Sequence, residues 1–172
     1  FDTATDPTYE DTTDFRGGAP IRLLKTPLVV AESKKYFGCN SAIGAELEWG
    51  EGFQGSHWNR REFYEEVMGP VLGDSRLSKF TLAFLHDSGY YTPDYTKAEN
   101  MNWGKSAGCG FVTAKCDTVS GGMGEYFCDS SRLQAERCTW DSKEIGGCST
   151  STGTYNDNLP SYWQYFANPK IG

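Results

Sequence analysis

No His-Glu-x-x-His occurs in this 172-residue sequence; its two histidines, His57 and His86, stand far apart, and no Glu lies between paired histidines on one helical turn. The absence removes the two imidazoles and the general base of a self-contained, helix-borne zinc hydrolase site. GxSxG, P-loop and dinucleotide fingerprints are missing too, so those chemistries have no local signature here. No CxxC pair is present, which weighs against a structural zinc cluster. There is no N-x-S/T acceptor for N-glycosylation. No apolar run approaches the ~20 residues of a membrane helix, and no leader-like basic and apolar stretch follows Phe1. A basic surplus is also lacking: the net charge is −7, which argues against a nucleic-acid surface.

What is present is globular. Hydrophobic residues make up 38% and aromatics 15%, enough for the chain to bury a core. Five acidic residues (Asp2, Asp6, Glu10, Asp11, Asp14) precede the first base, Arg16, and read as a solvated loop. The six cysteines are Cys39, Cys109, Cys116, Cys128, Cys138 and Cys148. Their even number and regular spacing indicate disulfides formed in an oxidising compartment; reduced buried thiols are the other reading.

Thr26-Pro27 predicts a helix start, with Thr as cap and Pro at the first position, running to about Tyr36 and stopped by Gly38. Ala45–Trp49 alternates as a short strand does. Residues 58–67 are helix-compatible, with Trp58, Phe63 and Val67 as a candidate face. Leu77, Phe80, Thr81, Phe84 and Leu85 have amphipathic helical spacing within 75–88, with Asp74 or Ser75 as cap and Gly89 as stop. Residues 105–155 read as loops, and 149–154 as a plain loop or linker. The tail Tyr162-Trp163-Gln164-Tyr165-Phe166 is apolar enough to require packing.

His57 is the candidate for chemistry. It follows a turn with glycines at 50, 52 and 55, and Met68 stands at +11, before Gly69-Pro70. A neutral imidazole is a good zinc ligand, but a catalytic zinc needs three protein ligands and an open position. His86, beside Asp87, is better placed to complement a helix C-terminus. Met68 by itself is a core gap-filler. Glu46, Glu48, Glu62, Glu65 and Glu66 invite a paired-carboxylate mechanism, yet the last three fit a solvated helix face better. A cysteine nucleophile, Cys39 or Cys109 with His57, is disfavoured by the regular cysteine pattern.

Several ordered motifs carry a wider resemblance. They are Tyr36-Phe37-Gly38-Cys39, Gly44-Ala45-Glu46-Leu47-Glu48, Gly55-Ser56-His57-Trp58 and Glu65-Glu66-Val67-Met68. Thr81-Leu82-Ala83-Phe84-Leu85-His86-Asp87, Trp103 to Phe111, Tyr126-Phe127-Cys128 and Leu159 to Phe166 continue them. From about residue 26 onward the chain resembles the leishmanolysin (invadolysin-like) zinc metalloproteases, from the C-terminal part of the catalytic domain.

That resemblance implies an α+β fold of helices, disulfide-stapled loops and little sheet. Residues 1–104 would be the C-terminal subdomain of a metzincin-like catalytic domain, with 1–25 an insertion loop, and 105–172 an incomplete Cys-rich C-terminal domain. It implies His57 as the third zinc ligand, Met68 as the Met-turn, and Val71 and Leu72 as lining of a substrate pocket. Cys39 would pair with Cys109, and Cys128 with Cys148. Cys116 and Cys138 would pair outside the chain, unless they remain unpaired or join each other or another chain. The HExxH helix would lie upstream, so the expectation is a fragment or processed chain of an extracellular or cell-surface zinc endopeptidase. Its parent would cleave proteins or peptides by zinc-activated water, and this piece would be inactive alone. The alternative is a non-catalytic adhesive or structural surface module that assembles with itself or with other surface proteins.

Overall fold

The computed structural model describes residues 8–12, 16, 21–49, 55–70, 75–116, 126–127, 136–139, 143–147 and 157–170. Two compact units are present, Phe1–Thr12 with Ile21–Val112, and Thr13–Pro20 with Thr113–Gly172. Helix and sheet are mixed, with one disulfide among the described residues.

In the first unit, β1 (Tyr9–Thr12), β2 (Ile21–Leu24) and β3 (Ala45–Leu47) form an antiparallel sheet in that order. Tyr9 is opposite Leu24, and Arg22 opposite Leu47. Ile21, Leu23 and Leu24 are buried. The loop expected across Glu10 and Asp11 is therefore a strand. Charge pairing to β2 supplies what its sequence lacks in apolar residues. Arg22 grips both oxygens of Asp11 at 2.7 and 2.9 Å, and Lys25 pairs with Glu10. The Arg22 hydrogen bond holds the Asp11 carboxyl below its ordinary range.

α1 (Pro27–Phe37) starts after Thr26 and ends at Gly38, whose φ of 67° suits the left-handed C-terminal turn. Thr26 makes no side-chain cap bond, and its buried hydroxyl lacks a partner. The cap comes from elsewhere: Asp87 Oδ2 accepts from the backbone N–H of Leu28 at 2.8 Å and of Val29 at 3.3 Å. Asp87 is the last residue of α2 (Lys79–Asp87), so the end of one helix caps the start of the other. α2 begins later than its periodicity predicts, because Ser78 is the N-cap and accepts from the N–H of Phe80 at 3.1 Å. Phe80, Thr81, Leu82 and Ala83 are its buried residues.

Phe37 lies at the centre of the core. Its ring meets Tyr36, Phe63, Phe80 and Phe111 at centroid distances of 5.1 to 5.8 Å, within the range of favourable aromatic pairs. The Cys39–Cys109 disulfide joins the end of α1 to α3 (Cys109–Thr113). Beside α1, a cleft of about 220 Å³ is lined by Glu32, Lys35, Tyr36, Lys79, Met101 and Lys105, among others.

In the second unit, β4 (Glu136–Cys138) and β5 (Ile145–Gly147) pair antiparallel within a stretch expected to be loops with little regular structure. Cys116 is buried and Cys138 exposed. The apolar tail is partly packed: Tyr165 and Phe166 are half-buried, Trp163 is exposed, and the Arg16 guanidinium lies 4.7 Å from the Tyr165 ring centre. Cys128, Cys148 and residues 149–154 lie outside the described residues.

Two stability outcomes follow. Asp87→Ala should cost about 1 kcal/mol by loss of the α1 cap, while Thr26→Val should be neutral or slightly stabilising; urea denaturation of both variants checks this. Burial raises the Glu32 carboxyl, against the pull of Lys35 and Lys79. A raised carboxyl favours the fold below its unfolded pKa, and that contribution is lost as pH rises through the folded value. Glu32→Gln should therefore gain about 0.5 kcal/mol or less at pH 7, discounted for solvent screening, and the gain should vanish below about pH 4. Melting curves across that range decide it.

Candidate functional site

His57 sits on the free edge of the sheet. Gly55, with φ 68°, reverses the chain, and its N–H donates to the Glu48 carbonyl at 3.1 Å. The chain then runs back along β3. Glu48 N–H donates to the His57 carbonyl at 2.8 Å, Asn59 N–H donates to the Glu46 carbonyl at 2.9 Å, and Trp58 bridges Leu47. On its other side, Trp58 N–H donates to the Met68 carbonyl at 2.9 Å. The residue after His57 is thus bonded to Met68, which brings the two halves of the motif together. The imidazole is half-buried, with Nδ1 2.8 Å from Ser56 Oγ. Met68 is 42% exposed.

Residues 58–67 are turns, not the expected helix. Their polar groups bond around Asn59 and the glutamates. Asn59 Oδ1 accepts from Arg61 N–H at 2.9 Å, and the Asn59 carbonyl accepts from Glu62 and Phe63. Glu48 Oε2 accepts from Arg60 N–H at 2.9 Å. Trp58 and Phe63 are buried in the aromatic core, with ring centres 5.3 Å apart. The bonds at Asn59 are local and make a single turn; the bond from Arg60 to Glu48 and the burial of both Trp58 and Phe63 are the tertiary ties that keep the segment from continuing as a helix.

The glutamates correct the sequence reading most. Glu62, Glu65 and Glu66 do not form a solvated face; they are 0%, 2% and 2% exposed. Glu62 Oε2 accepts from Glu46 N–H at 3.3 Å. Glu65 Oε2 accepts from the N–H groups of Asn102 and Trp103 at 2.6 and 2.8 Å, and its Oε1 lies 3.2 Å from Arg76 Nε. Glu66 Oε1 accepts from Ser78 N–H, Ser78 Oγ and Thr81 Oγ1 at 3.1, 2.7 and 2.6 Å. Its Oε2 accepts from Met68 N–H at 2.6 Å. Thr81 Oγ1 in turn accepts from the Trp58 indole at 2.9 Å. Glu66 has donors at both oxygens, as a buried carboxylate requires.

Other candidates fall elsewhere. His86 is exposed in the last turn of α2, with Nδ1 3.3 Å from the Tyr95 hydroxyl. Val71 and Leu72 lie outside the described residues. Cys39 and Cys109 form the disulfide, so neither is a thiol nucleophile. Among the described residues, no three His, Cys, Asp or Glu side chains converge as metal ligands. A half-buried imidazole on a turn bonded to chain on both sides suits one ligand of a metal, while the described residues do not complete a ligand set. Glu66 and Asn59 were missed as site-building residues. The signal available was three glutamates within five positions, in a segment whose two bulky aromatics, Trp58 and Phe63, are five residues apart rather than three or four.

The leishmanolysin family model matches residues 7–172. A leishmanolysin homolog of Crithidia fasciculata is 36% identical over 156 residues, covering 88% of this chain and 23% of the relative. Leishmanolysin of Leishmania major is 34% identical over 154 residues, covering 88% and 25%. A leishmanolysin-like peptidase of Caenorhabditis elegans is 35% identical over 162 residues, covering 86% and 24%. The chain spans about a quarter of the length of these curated relatives.

Glu65→Ala would orphan two backbone N–H groups and remove the carboxylate beside Arg76 Nε, leaving that guanidinium only its bond to the Asn100 carbonyl. A loss of about 3 to 5 kcal/mol is expected, read as a lower urea midpoint.

Proposed function

The chain belongs to the leishmanolysin family, and from that premise we propose that it is one part of a zinc endopeptidase acting outside the cell or at its surface. In this reading residues 1–104 are the C-terminal part of a metzincin-type catalytic domain, and 105–172 open a Cys-rich domain. His57 supplies one zinc ligand through a neutral ring nitrogen, and Met68 forms the apolar turn beside it. The observation that carries the reading is the hydrogen bond from Trp58 N–H to the Met68 carbonyl at 2.9 Å. It ties the only histidine on the sheet edge to the methionine of the same motif. Zinc, when bound, supplies an acidified water and polarises the scissile carbonyl. This chain's own contribution is to hold one imidazole in place, since the remaining ligands and the general base are not among its residues. The substrates are proteins or peptides.

The test uses the native polypeptide that carries this sequence, alongside the 172-residue chain alone. The native polypeptide should bind zinc and cleave peptides in a chelator-sensitive manner, and His57→Ala should abolish cleavage and weaken zinc binding by at least about 100-fold. The 172-residue chain alone should show no cleavage. Chelator-sensitive peptidase activity in that chain would refute the division of labour, and unchanged zinc affinity in His57→Ala would refute the ligand assignment.

A further inference from the structure

We infer that Glu66 is the positioning residue of the His57–Met68 motif: one buried carboxylate fixes the methionine turn, the Trp58 side chain and the start of α2 relative to one another. The inference rests on the proposed role of His57 and adds a residue that touches neither metal nor substrate in that role.

The geometry separates the two oxygens of Glu66 by task. Oε1 serves the helix side, taking Ser78 N–H, Ser78 Oγ and Thr81 Oγ1. Oε2 serves the site side, taking Met68 N–H at 2.6 Å. Trp58 is then held twice. Its backbone N–H reaches the Met68 carbonyl at 2.9 Å, and its indole reaches Thr81 Oγ1 at 2.9 Å. The loop closes through Glu66: Trp58 to Met68, Met68 to Glu66, Glu66 to Thr81, Thr81 to Trp58. His57 is covalently attached to one member of that ring. Each member is braced by a bond to a neighbour, so a shift of Met68 displaces the turn that carries the imidazole. A carboxylate suits this place because it is acceptor-only on both oxygens. Hydrogen bonds made directly to a metal ligand are worth about 10- to 100-fold in metal affinity, and a brace acting through the backbone next to the ligand belongs at the low end of that range.

Glu66→Gln isolates the function. A glutamine offers one acceptor oxygen and one donor nitrogen. Three donors face the Oε1 position and one faces Oε2, so the amide oxygen should turn toward Ser78 and Thr81. The amide nitrogen then confronts Met68 N–H, and the tether to the methionine turn is lost while the helix side is kept. The experiment compares wild type, Glu66→Gln and His57→Ala in the native polypeptide. It reads zinc affinity by chelator competition, the visible spectrum of the cobalt-substituted protein, and the melting temperature of the metal-free form.

The expected result is zinc binding weakened by about 10-fold or more in Glu66→Gln, with an altered cobalt spectrum. A purely structural role would lower the metal-free melting temperature and leave affinity and spectrum as in wild type; that outcome overturns the inference. If His57→Ala also leaves zinc affinity unchanged, or if wild type binds no zinc, the ligand assignment fails and the inference falls with it. Should Glu66→Gln not fold, Thr81→Val takes its place, because it cuts the same ring between Glu66 and the Trp58 indole. A weaker zinc affinity with a changed spectrum supports the ring, and wild-type values for both overturn it.

Discussion

Among the described residues between β3 and α2, the chain must satisfy its buried backbone N–H groups without a helix or a continuous ladder. Side-chain carboxylates meet that constraint. Glu48 takes Arg60, Glu62 takes Glu46, Glu65 takes Asn102 and Trp103, and Glu66 takes Met68 and Ser78. A buried N–H left without a partner costs about as much as a lost hydrogen bond. An unpaired buried carboxylate costs more. Donor and acceptor therefore depend on each other, and removing either leaves the other stranded. The adjacent Glu65 and Glu66 divide the labour, Glu65 binding residues 102–103 and Glu66 binding α2. The irregular segment becomes as well determined as a regular one, because its bonds run to elements that are fixed by other means.

Those elements are fixed by the aromatic core and by two cross-links between distant parts of the chain. Phe37, Phe63, Phe80 and Phe111 each have at most 1% of their surface exposed. They come from α1, the turn segment, α2 and α3, so one cluster joins four stretches of chain. The Cys39–Cys109 disulfide closes a separation of 70 residues that contains the whole site. On the chain-entropy account such a loop is worth about 4 kcal/mol. Asp87 adds a polar cross-link between the helices by capping α1 from the end of α2. The site thus rests on rigid elements, the arrangement that a geometrically demanding function requires.

Local signals were legible and non-local ones were not. Thr26-Pro27 and Gly38 mark α1 because stop and start chemistry is local, and the 75–88 periodicity marks α2 for the same reason. Even there Asp87 as the true cap was invisible, since it lies 59 residues from Leu28. β1 was hidden because it is polar and is stabilised by pairing with β2 rather than by its own pattern. The turn segment misled because helix propensity is a weak prior. Trp58 and Phe63 are five residues apart, about 140° around a helix, so one helical face could not have buried both. The sequence pointed to His57 and Met68 by their spacing within a motif. Only the clustering of the glutamates between them hinted that they face inward, since burial of a carboxylate is decided by donors far along the chain.

That inward turn has a consequence for the surface. Over Glu62–Met68, Phe63 apart, the usual polarity is inverted. Glu62, Glu65 and Glu66 are buried, while Tyr64, Val67 and Met68 are 36%, 38% and 42% exposed. Folding alone would favour the opposite arrangement, with apolar groups inside and charges in water. Local rules are broken in this way where a site has a use for the result. The carboxylates, turned inward, are spent on holding the backbone. The same inversion explains why the strongest polar groups of the motif are structural and its one exposed methionine is not a packing defect. The donors around Glu65 and Glu66 offset the cost of burying those carboxylates, so the segment persists without regular secondary structure.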